Sequence, residues 1–230
     1  MKKLCYHIHS RHSYDCLSKP ADIVKEALRQ GAEILAVTDH DTWRGSLEAR
    51  DQAPAELEVV IGGEYLTDCG DLVALNLARE PVAREAFAFI DEVHEMGGWV
   101  VLPHPFQSHR MVQELAARVD AIEGFNARCS AVQNEQAEAL VAALGKPNLA
   151  AADAHFLRHI SCAINQVELN PAGFPWRIVG RETKPSGEIW HHASQMVKGM
   201  KRQQWRPIWA GGKGLIKSAI LKPLGLHSHE

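Results

Sequence analysis

Along the first 170 residues, short apolar runs alternate with stretches of helical period. The pattern predicts strands over 4–8, 34–38, 57–65, 72–77, 99–102, 121–124, 149–152 and 163–169. Between them it predicts helices over 20–30, 82–96, 112–118 and 131–144. Pro20 opens the first of these, with Ile23, Ala27 and Leu28 on one face and Gly31 as its stop. Gly97-Gly98 and Gly145 end two others.

Several strands are continuous apolar runs, such as Trp99-Val100-Val101-Leu102 and Ile34-Leu35-Ala36-Val37. Such runs suit strands buried on both faces, as in parallel sheets wrapped by helices. The β-α order therefore points to an α/β barrel or a doubly wound sheet. After Gly173 the pattern is broken by Pro175, Pro185, Gly187, Pro207, Gly211-Gly212 and Gly214. This predicts a main body over 1–175 and a C-terminal extension over 176–230 that packs on the body or is partly mobile.

Composition adds bounds. At 230 residues and 46% hydrophobic, the chain suits one domain with an appendage and not a disordered or disulfide scaffold. Its five cysteines are scattered without a CxxC pair, which excludes a zinc ribbon and suits a reducing, cytoplasmic compartment. Met1-Lys2-Lys3 is followed by a histidine-rich stretch rather than a signal-peptide apolar run, and no apolar stretch is long enough to span a bilayer. The net charge of -3 hides an asymmetry, because no Asp or Glu occurs from Ile189 to His229 while Lys198, Lys201, Arg202, Arg206, Lys213, Lys217 and Lys222 do.

Candidate chemistry sits at five predicted strand ends. These are His7-Ile8-His9 with Asp15 shortly after, Thr38-Asp39-His40-Asp41, Gly62-Gly63-Glu64, Pro103-His104-Pro105 and Asp153-Ala154-His155. Residues i and i+2 of a strand share a face, so His7 and His9 can hold one ion. Strand ends of a parallel fold gather at one face, where ligands bind. A lone histidine at a strand end is usually an ordinary polar residue; agreement among five such ends is what points to a metal. Imidazole with carboxylate suits Zn, Mn or Fe. Burying so many polar groups together without an ion would leave them unpaired. His12, His94, His109, His159, His191, His192, His227 and His229 lie off the pattern and read mostly as surface residues, with His12 close to the ligand loop.

The ordered set resembles the polymerase and histidinol phosphatase (PHP) superfamily over roughly residues 1–170: His7-x-His9 with Ser13 and Asp15, then Thr38-Asp39-His40-Asp41, Gly63-Glu64, His104-Pro105 and Asp153-x-His155. The resemblance implies a distorted (β/α)7 barrel, a small stand-alone metal-dependent phosphoesterase, and two or three divalent ions. It implies that His7, His9, Glu64 and Asp153 hold a first ion. Glu64 would bridge to a second, shared with His104, the two holding a metal-bound hydroxide. Asp15, His40 and His155 would hold a third. Asp15 stands where some members have histidine. Many members add a histidine on the strand after the glutamate; here Asp71-Leu72-Val73-Ala74-Leu75 has none. Asp71, Asn126, water or substrate would complete the second site. The short interval from Glu64 to His104 leaves no room for an inserted domain and suggests an open site.

The leading expectation is hydrolysis of a phosphate ester, on a phosphomonoester, a nucleotide or a short oligonucleotide. Arg11, Arg110, Arg128 and Arg158 are candidate phosphate contacts, each equally readable as a solvated side chain. One alternative is hydrolysis of a non-phosphate bond such as an amide. Another is a metal-containing binding module whose basic tail docks on nucleic acid or an acidic partner. In that tail Lys213, Lys217 and Lys222 accompany Leu215, Ile216, Ile220 and Leu221, a pattern open to a membrane-surface helix; a solvated helix covering the body is the preferred reading.

Overall fold

The computed structural model describes residues 1–170, 174–203, 205–216 and 218. Among the described residues, ten strands form two five-stranded sheets. The first sheet has the order β10-β9-β1-β2-β3, from Trp176–Thr183, Ala163–Leu169, Lys2–Ile8, Ile34–Val37 and Glu58–Val59. The second has the order β4-β5-β6-β7-β8, from Gly62–Thr67, Gly70–Leu75, Trp99–Leu102, Ala121–Asn126 and Asn148–Ala151. The runs β1-β2-β3 and β6-β7-β8 are parallel, as the apolar runs imply. The β4-β5 hairpin, the β5-β6 pair, β9 and β10 are antiparallel and interrupt the β-α repeat.

The expected distorted (β/α)7 barrel is therefore seen only as a mixed α/β fold, whose two sheets do not pair into one continuous closed barrel. The sheets instead meet at two narrow seams. At one, His9 N donates to Ala154 O (2.9 Å) and Ala154 N to His7 O (3.1 Å). At the other, Glu64 N donates to Asp39 O (3.0 Å) and Asp41 N to Glu64 O (2.7 Å). Every one of these residues belongs to a ligand motif or adjoins one.

The strand expected over 57–65 is two strands in different sheets. The chain crosses between them at Val60-Ile61, and β4 then begins with Gly62-Gly63, where a Cβ would lie 2.6 Å from Ala74 O or 2.9 Å from Thr42 O. Helices cover the outer faces. These are α1 (Pro20–Arg29), α2 (Arg44–Gln52), α3 (Ala86–Glu95), α4 (Val112–Arg118) and α5 (Ala131–Leu144). α1 buries Ile23, Val24 and Ala27, and α3 buries Phe89, Ile90 and Val93. α5 starts with a capping box between Ser130 and Gln133 and stops at left-handed Gly145. Sequence pattern misses α2, because its buried residues are Gly45, Ser46 and Ala49, too small to give an apolar period. Leu4, Tyr6, Ile34, Ala36, Val73, Leu75, Val101 and Leu149 fill the space between the sheets. Each buried Leu or Ile there contributes about 1.5–3 kcal/mol.

Beyond residue 175, β10 extends the first sheet along β9, and two helices follow, α6 (Glu188–Lys201) and α7 (Trp205–Ile216). The tail positions Lys217, Ile220, Leu221 and Lys222 and the histidines at 227 and 229 lie outside the described side chains. Among the described residues no helix is long and apolar enough to cross a membrane. All five cysteines are free, and all but Cys129 are buried.

Candidate metal centre

The ends of β1, β2, β6 and β8, together with β4, deliver all eight predicted ligand residues to one place. Glu64 lies at its middle. One of its oxygens is 3.4 Å from His7 Nε2 and 3.1 Å from His104 Nε2. The other is 3.6 Å from His9 Nε2 and 3.0 Å from His40 Nδ1. Asp153 is 3.5 Å from His9 Nε2. Asp15 lies 3.1 Å from His155 Nε2 and 3.5 Å from His40 Nε2.

Among the described residues, three groups have ligand atoms within 4.8 Å of one another: His7, His9 and Asp153; His7, Glu64 and His104; and His9, Asp15, His40 and His155. The resemblance placed Glu64 in the first group and as a bridge to His104; geometrically it groups with His7 and His104, while His9 falls both with His7 and Asp153 and with the Asp15 group. Five ligand-type atoms here are buried without a hydrogen-bond partner: His7 Nε2, His9 Nε2, Asp15 Oδ1, Glu64 Oε2 and His104 Nδ1. Buried polar atoms left unpaired are costly, and nitrogen and oxygen donors of this kind suit a divalent cation. The residues present therefore fit such ions.

Supporting groups decide which ring nitrogen faces inward. Glu123, fully buried on β7, lies 2.6 Å from His7 Nδ1, accepts from His104 N (2.9 Å), and accepts from Asn126 Nδ2 (3.0 Å). A carboxylate on Nδ1 fixes the proton there and leaves Nε2 free as a ligand. Asp39 does the equivalent one step removed. It accepts from the Ser13 hydroxyl at 2.6 Å, which leaves the Ser13 oxygen to accept from His9 Nδ1 at 3.1 Å. Gly45 is required beside it, since a Cβ there would lie 1.7 Å from Asp39 Oδ2. Sequence reasoning missed Glu123 and the role of Asp39. Asp39 sits just past the end of β2 as an acidic residue, a signal available in the sequence, whereas Glu123 lies inside β7 and carries none.

Burial and charge work against each other in this cluster. Burial opposes protonation of His7, but Glu123, Glu64 and Asp153 outweigh it and hold its pKa well above the ordinary value. His40, His104 and His155 are raised for the same reason, despite burial, by Glu64 or Asp15. Burial would raise Glu64, yet His7 and His40 hold it well below the usual carboxylate range. Asp15 and Asp153 are likewise lowered against burial, by His155 and by Arg128 respectively. His9 is pushed down to about 3 by burial and by His155 and His40, so it is neutral. Three of the residues take left-handed backbone angles, with φ of 58° at His7, 26° at His104 and 43° at Asp153. Such conformations cost on the order of 1–3 kcal/mol each and concentrate at functional sites.

The cluster opens into a cavity of about 140 Å³. Asp71 lines it, its pKa raised to about 6 by burial and by Glu64, but it joins none of the three groups. Asn126 donates to Asp153 (3.3 Å) and Glu123 and acts as a brace. Of the four candidate arginines, Arg128 lines the cavity. Arg11 is paired with Glu48, Arg110 with the Asp68 carbonyl, and Arg158 with the Trp190 ring. His159 is buried rather than a surface residue, and His191 lines the cavity. Gln195 and Lys198 of α6 also line it, so the mouth is flanked by a helix that the short Glu64–His104 interval did not suggest. A larger groove of about 540 Å³ beside β10 is lined, among the described residues, by no histidine or carboxylate.

The sequence model of the PHP domain matches residues 6–141. The uncharacterized protein MJ1587 of Methanocaldococcus jannaschii is 32% identical over 138 residues, covering 53% of this chain and 80% of that protein. A two-domain protein from Bacteroides vulgatus, described as containing a predicted PHP-like metal-dependent phosphoesterase, superposes with a TM-score of 0.57 at 20% identity, covering 67% of this chain and 52% of its own. An amidohydrolase from Chromobacterium violaceum, solved with bound sulfate and no metal, superposes with a TM-score of 0.55 at 15% identity, covering 83% and 95%.

Proposed function

The chain belongs to the PHP domain family, and on that premise we propose that it is a metal-dependent hydrolase acting on a phosphate ester. The observation that carries the reading is the set of five buried, unpartnered ligand-type atoms on His7, His9, Asp15, Glu64 and His104, the last three of which line one cavity. In this proposal His7, His9, Asp15, His40, Glu64, His104, Asp153 and His155 hold two or three divalent ions. Bound there, such ions supply positive charge to phosphoryl oxygens and make water nucleophilic near neutral pH.

The protein's own groups have distinct tasks. Glu123, and Asp39 through Ser13, keep the Nε2 atoms of His7 and His9 aimed inward. Glu64 reaches both halves of the cluster and holds them in one register. Arg128 carries the charge and planar donor fork that suit a phosphate oxygen pair, and its side chain is largely buried beside Asp153 (3.6 Å). The cavity's small volume favours a terminal phosphoryl group over an internal position of a long chain.

The test is metal analysis of the protein as isolated, followed by assays with Mn, Zn and Fe on phosphomonoesters, nucleotides and oligonucleotides. Hydrolysis that is lost in His7→Ala is expected. A metal-loaded protein that cleaves none of them, indistinguishable from His7→Ala, removes the reading. Likeness to the amidohydrolase fold supports one second reading, cleavage of an amide. Faster turnover of acylated amides than of aryl phosphates would select it.

A further inference from the structure

Helix α6 lies outside the segment matched by the family model, yet it reaches the Asp15–His40–His155 side of the centre by three routes. The first is Lys201, the last residue of the helix. Its Nζ donates to the carbonyls of Arg11 (2.7 Å), Ser13 (2.5 Å) and Cys16 (3.1 Å). An ammonium has three N–H donors, so all are used on this one loop. Asp15 lies between two of the three carbonyls. The second route is Tyr14. Its ring stacks on His40 (4.5 Å between centroids, 7° between planes), and Arg202 and Lys198 lie 3.9 and 4.8 Å from its centroid. The third is Arg128, which contacts the His155 ring and donates to His191 Nδ1 (2.9 Å) and Ser194 Oγ (3.0 Å) of α6.

We propose that Lys201 is a positioning residue: by gathering the three carbonyls of the 11–16 loop onto one ammonium, it sets Asp15 against His40 and His155 and thereby builds the outer ion site selectively. The inference rests on the reading that these residues hold an ion. Three carbonyl dipoles aimed at one point repel one another without a cation between them. Water can satisfy each oxygen singly but does not tie them to a common centre or to α6. Lys201 is a cleaner probe than Arg128, because Arg128 also approaches Asp153 on the other side of the centre. A competing effect has the opposite sign, since an ammonium near the site repels a divalent ion.

The experiment uses the full chain with Lys201→Met and, alongside it, Lys201→Arg, which keeps the charge. Amide exchange is followed at residues 11–16 in metal-free protein, and Mn binding is titrated with elemental analysis. In Lys201→Met, exchange in the loop is expected to accelerate and one ion to bind about 10-fold more weakly, the others being unchanged. Lys201→Arg is expected to recover part of both. In a His40→Ala background, Lys201→Met should produce no further loss of ions. Unchanged loop exchange, equal weakening of every ion, or tighter binding in Lys201→Met would each overturn the proposal. A wild-type protein that binds no ion overturns it too; loosening of the loop in Lys201→Met then shows that the fault lies in the metal reading.

Discussion

The inner half of the centre, His7, Glu64, His104 and Asp153, and the outer half, Asp15, His40 and His155, use the same side-chain chemistry, and all but the partly exposed His40 are buried. They differ in what holds them. The inner residues stand on or next to strands, three of them in left-handed backbone conformations, and Glu123 braces both the His7 ring and the His104 main chain. In the outer half, Asp15 hangs on a loop tied to α6 by Lys201, and His40 and His155 are backed by Tyr14 and Arg128, which α6 also contacts. A site of one composition is thus assembled from a part fixed by the sheets and a part that depends on a helix more than thirty residues further along the chain.

The largest effect should come from the residue that spans both halves. Glu64→Gln is expected to lower hydrolysis by about 10³-fold and to reduce the ion count, read by steady-state assay and elemental analysis. Loss confined to ions of the inner half would show that the halves are independent. Next, Glu123→Ala should weaken inner-half ion binding by roughly 10–100-fold while leaving amide exchange in the 11–16 loop unchanged. An equal effect of this change on both halves would erase the distinction between them.

Acidity offers a smaller lever that acts on both halves at once. His7 and His104 inside, and His40 and His155 outside, have raised pKa values, so an arriving ion must displace their protons. Affinity should fall as the pH drops from 8 to 6, and ion binding at pH 7 should release protons, measured by calorimetry in buffers of different ionisation enthalpy. His9 contributes none of these protons, being already neutral.

The smallest effect is expected at Asp71, which borders both halves. Its folded pKa is raised from 3.8 to about 6, so its ionisation costs stability as the pH rises through that window. In metal-free protein, Asp71→Asn should therefore raise stability at pH 8 by about 1–2 kcal/mol, discounted for its partial exposure, and give no gain at pH 4. Thermal unfolding at the two pH values checks this.

Much of this architecture is legible in the chain. Strands β1, β2, β6 and β8 are short apolar runs bounded by ligand residues, so their position and the ligands' side of the fold follow from the pattern. The helices α1, α3 and α5 announce themselves through Pro20, Gly97 and Gly145. The pattern fails where small residues replace an apolar stripe, as in α2, and where one continuous run serves two sheets, as at Val60-Ile61 between β3 and β4. Glu123 escaped notice because a carboxylate inside a strand shows no sign of its partner until His7 and His104 are brought to it.

The sequence by itself determined the candidate ligand residues, their strand-end positions and membership of the family, because local period and motif spacing are properties of neighbours along the chain. Only the tertiary structure decided how the ligands divide into groups, which nitrogen of His7 and His9 faces inward, and that α6 completes one side. Those outcomes depend on contacts between residues such as Lys201 and Ser13, far apart in sequence, whose distances are set by the packing of the two sheets and the return of the C-terminal helix.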